Sequence, residues 1–260
     1  MIASLPMYDR PETAAANDRL WDRIKHNYCA AGPDDETLHP PERLDRETGL
    51  WDTWLDQQLF LSQTCGLPYR AKLHGQVTLL GTPVHDVPQT PEGSYYSVLV
   101  VRASDDRESL AAYKGACIAV NDGLSQSGWA APLAHAALHN IEFGSFLLTG
   151  GHAASAKAVA DGKAEIAALD AVTWTMIQRW DRCAAHLRVL DRTAPTPALP
   201  YITARGVNTD TIRTALSQAI QDLAPADRET LCLKGLTVIN PRHYLALPVP
   251  PPPEKVLPAA

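Results

Sequence analysis

The chain has 260 residues, 45% of them apolar and 20% charged, and carries a net charge of −6 at neutral pH. That apolar content excludes a disordered chain and suits one large core or two lobes of roughly 100–150 residues. With 29 Asp and Glu against 23 Lys and Arg, nucleic acid is not an expected partner, and no apolar run reaches the roughly 18–20 residues that membrane insertion requires.

Ile2 to Leu5 reads as a first strand ended by Pro6. No basic n-region or long apolar core marks a secretory leader there, so the chain as written is placed in the cytoplasm unless a leader precedes this numbering. Pro11 and Glu12 open a helix whose Leu20, Trp21, Ile24 and Tyr28 recur at helical spacing, with Gly32 as its stop. A second amphipathic stretch lies around Leu50, Trp54 and Leu55. Leu59-Phe60-Leu61 runs into the turn-forming Thr64-Cys65-Gly66-Leu67-Pro68. Val77 to Leu80 is a buried-strand pattern cut off by Gly81-Thr82-Pro83.

From Val98 onward strand and helix alternate. Val98–Val101, Cys117–Val120, Glu165–Leu169 and Leu187–Leu190 read as strands. Ser109–Lys114, Ser127–Leu138, Ala153–Ala160 and Val172–Trp180 read as helices. Such alternation predicts an α/β fold with a mainly parallel sheet. Leu199 to Thr203 is strand-like, Asn208 caps a helix carrying Ile212, Leu216 and Ile220, and Pro225 starts a short one. The proline-rich 247–258 segment reads as an extended tail. The block 97–196 forms an alternating unit by itself. It therefore reads as a second lobe inserted into a first lobe of residues 1–96 plus 197–260, with a ligand cleft between the two.

The chemistry concentrates after two of these strands. Asn121-Asp122-Gly123-Leu124-Ser125-Gln126-Ser127-Gly128 lies at the carboxyl end of a strand and opens a helix. Free N–H groups and the helix dipole attract anions there, and Ser125 and Ser127 add hydroxyls. The competing reading makes Ser127 an N-cap and Ser125 a turn residue. Gly150-Gly151-His152 opens the next helix, where His152 could donate to the same anion. Asp170 ends an apolar strand and either faces a ligand or caps the following helix. Tyr8 and Tyr95 stand where aromatic groups would line a cleft, or where they would pack a core or hinge.

Other constellations point to little. Five scattered cysteines without a CxxC pair read as free thiols. Cys65 with His74 or His152 as base is a conceivable nucleophile, but a structural thiol is favoured. His135 and His139 stand four apart without an HExxH arrangement or an evident third ligand, so no metal is expected. No GxSxG, Walker A or GxGxxG pattern occurs, and neither a catalytic residue nor a cofactor is expected.

The ordered set Leu5-Pro6-Met7-Tyr8, Gln63-Thr64-Cys65-Gly66, Gly81-Thr82-Pro83, Tyr95-Tyr96-Ser97, Asn121 to Gly128, Gly151 to Ser155, Ala167 to Asp170 and Leu199-Pro200-Tyr201 carries a resemblance. It resembles the phosphate/phosphite/phosphonate, PhnD-like branch of ABC-transporter solute-binding proteins. The resemblance implies the two-lobed type 2 periplasmic-binding-protein fold and capture of a small oxyanion by Ser125, Gln126, Ser127 and His152. Tyr8 and Tyr95 would be the contacting aromatics, and Asp170 would lie near a ligand-contacting carboxylate. Gln126 stands where the family commonly has a small hydroxyl residue. A small anionic ligand, an ABC permease as partner and a periplasmic location follow from the resemblance. The rival readings are an enzyme on the same fold, akin to thiamine-precursor synthesis, and a cytoplasmic ligand sensor.

Overall fold

A computed structural model describes residues 1–32 and 38–260. In chain order its strands are β1 (Ile2–Ser4), β2 (Leu59–Gln63), β3 (Val77–His85), β4 (Ser94–Tyr95), β5 (Ser97–Arg102), β6 (Cys117–Val120), β7 (Ser145–Leu148), β8 (Ile166–Asp170), β9 (Leu187–Arg192), β10 (Thr196–Pro197), β11 (Tyr201–Ala204) and β12 (Leu233–Thr237). Its α-helices are α1 (Ala14–Ala30), α2 (Leu50–Trp54), α3 (Gly66–Pro68), α4 (Ala131–Leu138), α5 (His152–Ala160), α6 (Ala171–Trp180), α7 (Asp210–Asp222), α8 (Pro225–Thr230) and α9 (Pro241–Leu245). Two compact units result. The first holds Met1–Pro88, Glu92–Ser94 and Pro197–Ala246, and the second holds Gln89–Pro91, Tyr95–Thr196 and Leu247–Ala260.

The first unit is built on a sheet in the order β1-β2-β11-β3-β12. The apolar face of α1, with Leu20, Trp21, Ile24 and Tyr28, meets Ile212, Leu216 and Ile220 of α7 in one buried cluster. Trp21 and Tyr28 both stand edge-on to the Phe60 ring, at centroid distances of 5.7 and 5.0 Å. Each such side chain stabilises the fold by about 1.5–3 kcal/mol through burial. The second unit's sheet runs β7-β6-β8-β5-β9, with Leu99, Val101, Ile118, Val120, Trp129 and Ile166 among its core.

Both sheets are mixed rather than mainly parallel. In the first, β1 and β2 are parallel, but β11 runs antiparallel to β2 and β3, and β12 antiparallel to β3. In the second, β6 is parallel to β7 and β8, while β5 is antiparallel to β8 and β9. A helical crossover dictates direction only between the strands it joins. The strands β5 and β11, each close to a passage of the chain from one unit to the other, enter their sheets without such a helix and run the opposite way.

Three further differences have local causes. β3 continues through Gly81-Thr82-Pro83 instead of ending there. β11 pairs with Val77–Gly81 and β12 with Thr82–His85, so Pro83 has a neighbour on one side only, where a missing N–H forfeits no ladder bond. A Cβ at Gly81 would lie 3.0 Å from Leu236 Cγ, so any larger residue there would have to push the Leu236 side chain aside. The proline-rich tail, read from sequence as part of the first lobe, packs within the second unit. There the Trp129 indole N–H donates to Pro251 O at 2.8 Å, the Phe146 N–H donates to Pro258 O at 3.0 Å, and the Ala260 N–H donates to Phe146 O at 2.8 Å. β7 and β12 escape a periodicity reading because each is short and only partly buried.

Candidate functional site

β6 is apolar and buried to its end at Val120, and the chain then turns through Asp122 and Gly123 into a helix start. Ser125, in extended conformation, is the N-cap: its Oγ accepts the Gly128 N–H at 2.9 Å. The expected roles of the two serines are thereby exchanged, for Ser127 lies inside the first turn, a π-helical turn over Gln126–Ala130 that leads into α4. The N–H groups of Trp129 and Ala130 both reach Ser125 O, whereas the Ser127 N–H finds no acceptor among the described residues.

The second helix start lies beside the first because their strands are neighbours. β6 and β7 pair in parallel as far as Val120 and Leu148, and the Thr149 N–H donates to Val120 O at 2.9 Å. Gly150, at φ +83°, turns the chain so that His152 begins α5. His152 Nε2 lies 2.8 Å from Ser127 Oγ and 3.5 Å from Asn121 Nδ2, and Ser127 Oγ lies 3.5 Å from Ser125 Oγ. Ser97 Oγ donates to Ser127 O at 2.9 Å and so holds the turn from behind.

Burial pushes His152 down to about 4, with the Ala168 backbone pulling the other way. The imidazole is therefore neutral at pH 7. In a neutral ring one proton lies in the 2.8 Å contact between His152 Nε2 and Ser127 Oγ, so the pair presents one hydrogen outward, and with the Ser125 hydroxyl and the Ser127 N–H it gives a compact set of donors at the positive end of a helix. The set suits an oxyanion. Ser127, Ser125 and Gln126 are all buried, so an anion held there would be shielded from water and bound by charge-assisted hydrogen bonds.

Gly128 serves this arrangement by leaving room for a neighbouring side chain. A Cβ at Gly128 would lie 1.8 Å from Asn121 Oδ1 and 3.2 Å from His152 Cε1. The glycine thus admits the Asn121 side chain, which sequence reasoning missed as a site residue, and Asn121 in turn contacts His152. Gly128→Ala should destabilise the protein by about 1–3 kcal/mol, the usual cost of overpacking. In an Asn121→Ala background most of that cost should disappear, which thermal denaturation of the four-membered cycle measures.

The remaining predicted residues belong to other elements. Asp170 caps α6, its Oδ1 accepting the N–H groups of Val172 and Thr173 at 2.7 and 3.0 Å. It pairs with Ser97 across the β5–β8 ladder, one strand from the Ser127 turn. Tyr95 is fully buried in β4. Tyr8 belongs to the first unit, where its ring stands edge-on to His85 at 5.1 Å. Cys65 precedes α3 in the first unit, and His74, its conceivable base, packs edge-on against Tyr69. The other conceivable base, His152, is the partner of Ser127.

The family model described as "ABC transporter, phosphonate, periplasmic substrate-binding protein" matches residues 55–242. No curated protein matches the chain in sequence. Among solved structures, a Xanthomonas citri protein bound to chloride ion is similar at 16% identity, covering 95% of both chains with a TM-score of 0.70. PhnD1 from Prochlorococcus marinus in complex with methylphosphonate is similar at 13% identity, covering 94% of this chain and 93% of its own, with a TM-score of 0.68. The binding-protein component of an ABC phosphonate transporter from Pseudomonas aeruginosa is similar at 13% identity over 92% and 81%, with a TM-score of 0.65. At these identities the structural likenesses show the fold.

Proposed function

The chain belongs to the family of periplasmic substrate-binding proteins of phosphonate ABC transporters, and from that premise we propose that its second unit captures a phosphonate- or phosphate-like oxyanion through Ser125, Ser127 and His152. It is a solute-binding protein, not an enzyme. No helix among the described residues is long and apolar enough to cross a membrane. Delivery of the captured solute to an ABC permease in the periplasm is the role we assign to it.

The observation that carries the ligand assignment is the Ser127–His152 contact of 2.8 Å beside the unspent Ser127 N–H. The Ser127–His152 pair, with one proton spent between its two atoms, presents one side-chain donor, and this converges with the Ser125 hydroxyl and one backbone donor where the dipole of a helix start favours negative charge. A tetrahedral oxyanion offers several acceptors in a small volume and can engage all three. Gln126 fills the position between the two serines with a larger side chain, and on this reading it helps to set which substituent on phosphorus is accepted. Asp170 is a positioning group, since its carboxylate is engaged by the start of α6.

The reading predicts a thermal response to phosphorus oxyanions. At a concentration about 100 times the dissociation constant, a bound ligand should add about 2.7 kcal/mol to stability. A thermal-shift panel of methylphosphonate, phosphite, phosphate, ATP, sulfate and acetate checks this. A response confined to the phosphorus oxyanions is expected, and one confined to acetate would overturn the reading.

A further inference from the structure

We propose that His135, His139 and Asp191 form a binding site for a divalent transition-metal cation, zinc being the natural occupant of such a donor set. His135 lies in the last turn of α4 and His139 is its C-cap residue, so their rings share one face of the helix. Their centroids are 4.7 Å apart. Folding brings to them the third group that the local spacing does not contain. Asp191 lies on β9, 52 residues beyond His139 in the chain, and its Oδ2 lies 2.9 Å from His135 Nε2. One donor atom from each of the three residues lies within 4.8 Å of the others.

Several features favour a cation here over an isolated ion pair. Ligand atoms around a tetrahedral metal lie about 3.4 Å apart at the usual zinc bond lengths, so modest side-chain rotations complete the geometry. Two imidazoles and one carboxylate suit a borderline cation such as zinc better than magnesium or calcium, and leave a fourth position for water. Asp191 Oδ1 accepts the Arg192 backbone N–H at 2.7 Å, which orients the carboxylate and leaves Oδ2 toward the histidines. The Arg192 guanidinium is directed elsewhere, to Gln89 Oε1 and over the Tyr96 ring, so it does not compete for the carboxylate. The carboxyl end of a helix also favours positive charge.

The cation would join the end of α4 to β9, the edge strand of the second sheet. It stands apart from the serine and histidine donors at the opposite end of the same helical segment. The proposal does not depend on which solute the protein carries.

Protein stripped with a chelator and dialysed against low-micromolar zinc alone tests it. One zinc per chain and a raised melting temperature are expected. His139 is exposed, so His139→Ala should not disturb the fold, and Asp191→Asn keeps an acceptor for the Arg192 N–H. Each should weaken zinc binding by about tenfold or more, whereas His26→Ala, an exposed histidine of α1, should leave it unchanged. Absence of stoichiometric zinc in the wild-type protein would overturn the proposal. Equal zinc affinity in His139→Ala and Asp191→Asn would overturn it too, because the metal would then lie elsewhere.

Discussion

Ser127→Ala should weaken binding of the best ligand of the oxyanion panel about ten- to a hundred-fold while leaving the helix start intact. Hydrogen bonds to a charged group contribute roughly 1.5–3 kcal/mol, which is that range of affinity. Ser127 is not the cap, so the fold does not depend on its hydroxyl for the Gly128 N–H. Ser125 is the contrasting case. Ser125→Ala should cost about 0.5–2 kcal/mol of stability, and Ser125→Gly only a few tenths. His152→Ala should weaken the same ligand. Its loss and that of Ser127→Ala should be non-additive, since the two groups are 2.8 Å apart and would touch one anion. Calorimetric titration of the single and double variants decides this. Wild-type affinity in Ser127→Ala would remove the oxyanion assignment from this turn.

The largest expected response to solution conditions is a loss of stability between about pH 6.5 and pH 4, centred on His85 in the first unit. Its Nδ1 faces Cys232 O at 3.1 Å, which assigns the proton to that nitrogen. Among the described residues nothing hydrogen-bonds its Nε2, and His85 borders a cavity of about 20 Å³ lined also by Tyr8, Asn17, Gln63 and Tyr201. That is room for a single water. Burial pushes His85 down to about 4, against the smaller opposing pull of the Cys232 and Leu231 backbone. The unfolded chain takes up a proton near pH 6.5 that the folded one refuses until about pH 4. Stability is therefore full above that window and falls as pH drops through it. The loss reaches roughly 3 kcal/mol below pH 4. His152 adds to the loss in the same direction, but less, because part of its surface is exposed. Asp105, held far below the usual carboxylate range by Arg107, loses its contribution only at lower pH. Chemical denaturation across this range should show the slope in the wild-type protein and a flatter one in His85→Asn.

Much of this molecule was legible in its sequence. Periodicity of 3.6 and 2 exposes which face of an element is buried, and it located α1, α6, α7, β5, β6 and β8 to within a few residues. The order of the glycine, serine and histidine segments pointed to the family, which the match over residues 55–242 supports. Neither signal carries information about long-range pairing. The antiparallel insertion of β5 and β11 depends on which strands meet after the chain passes between units, and local patterning is indifferent to direction. Likewise, Ser125 and Ser127 are both hydroxyls near a helix start, and only the backbone conformation of the π-helical turn decides which one caps. Asn121 beneath Gly128 and Asp191 beside His135 are contacts of folded surfaces, 7 and 56 residues apart in the chain. The sequence by itself determined the elements, the chemistry at their ends and the family. Tertiary structure alone decided which of those groups meet, because a side chain's partner is set by packing between elements and not by the local preference that forms each one.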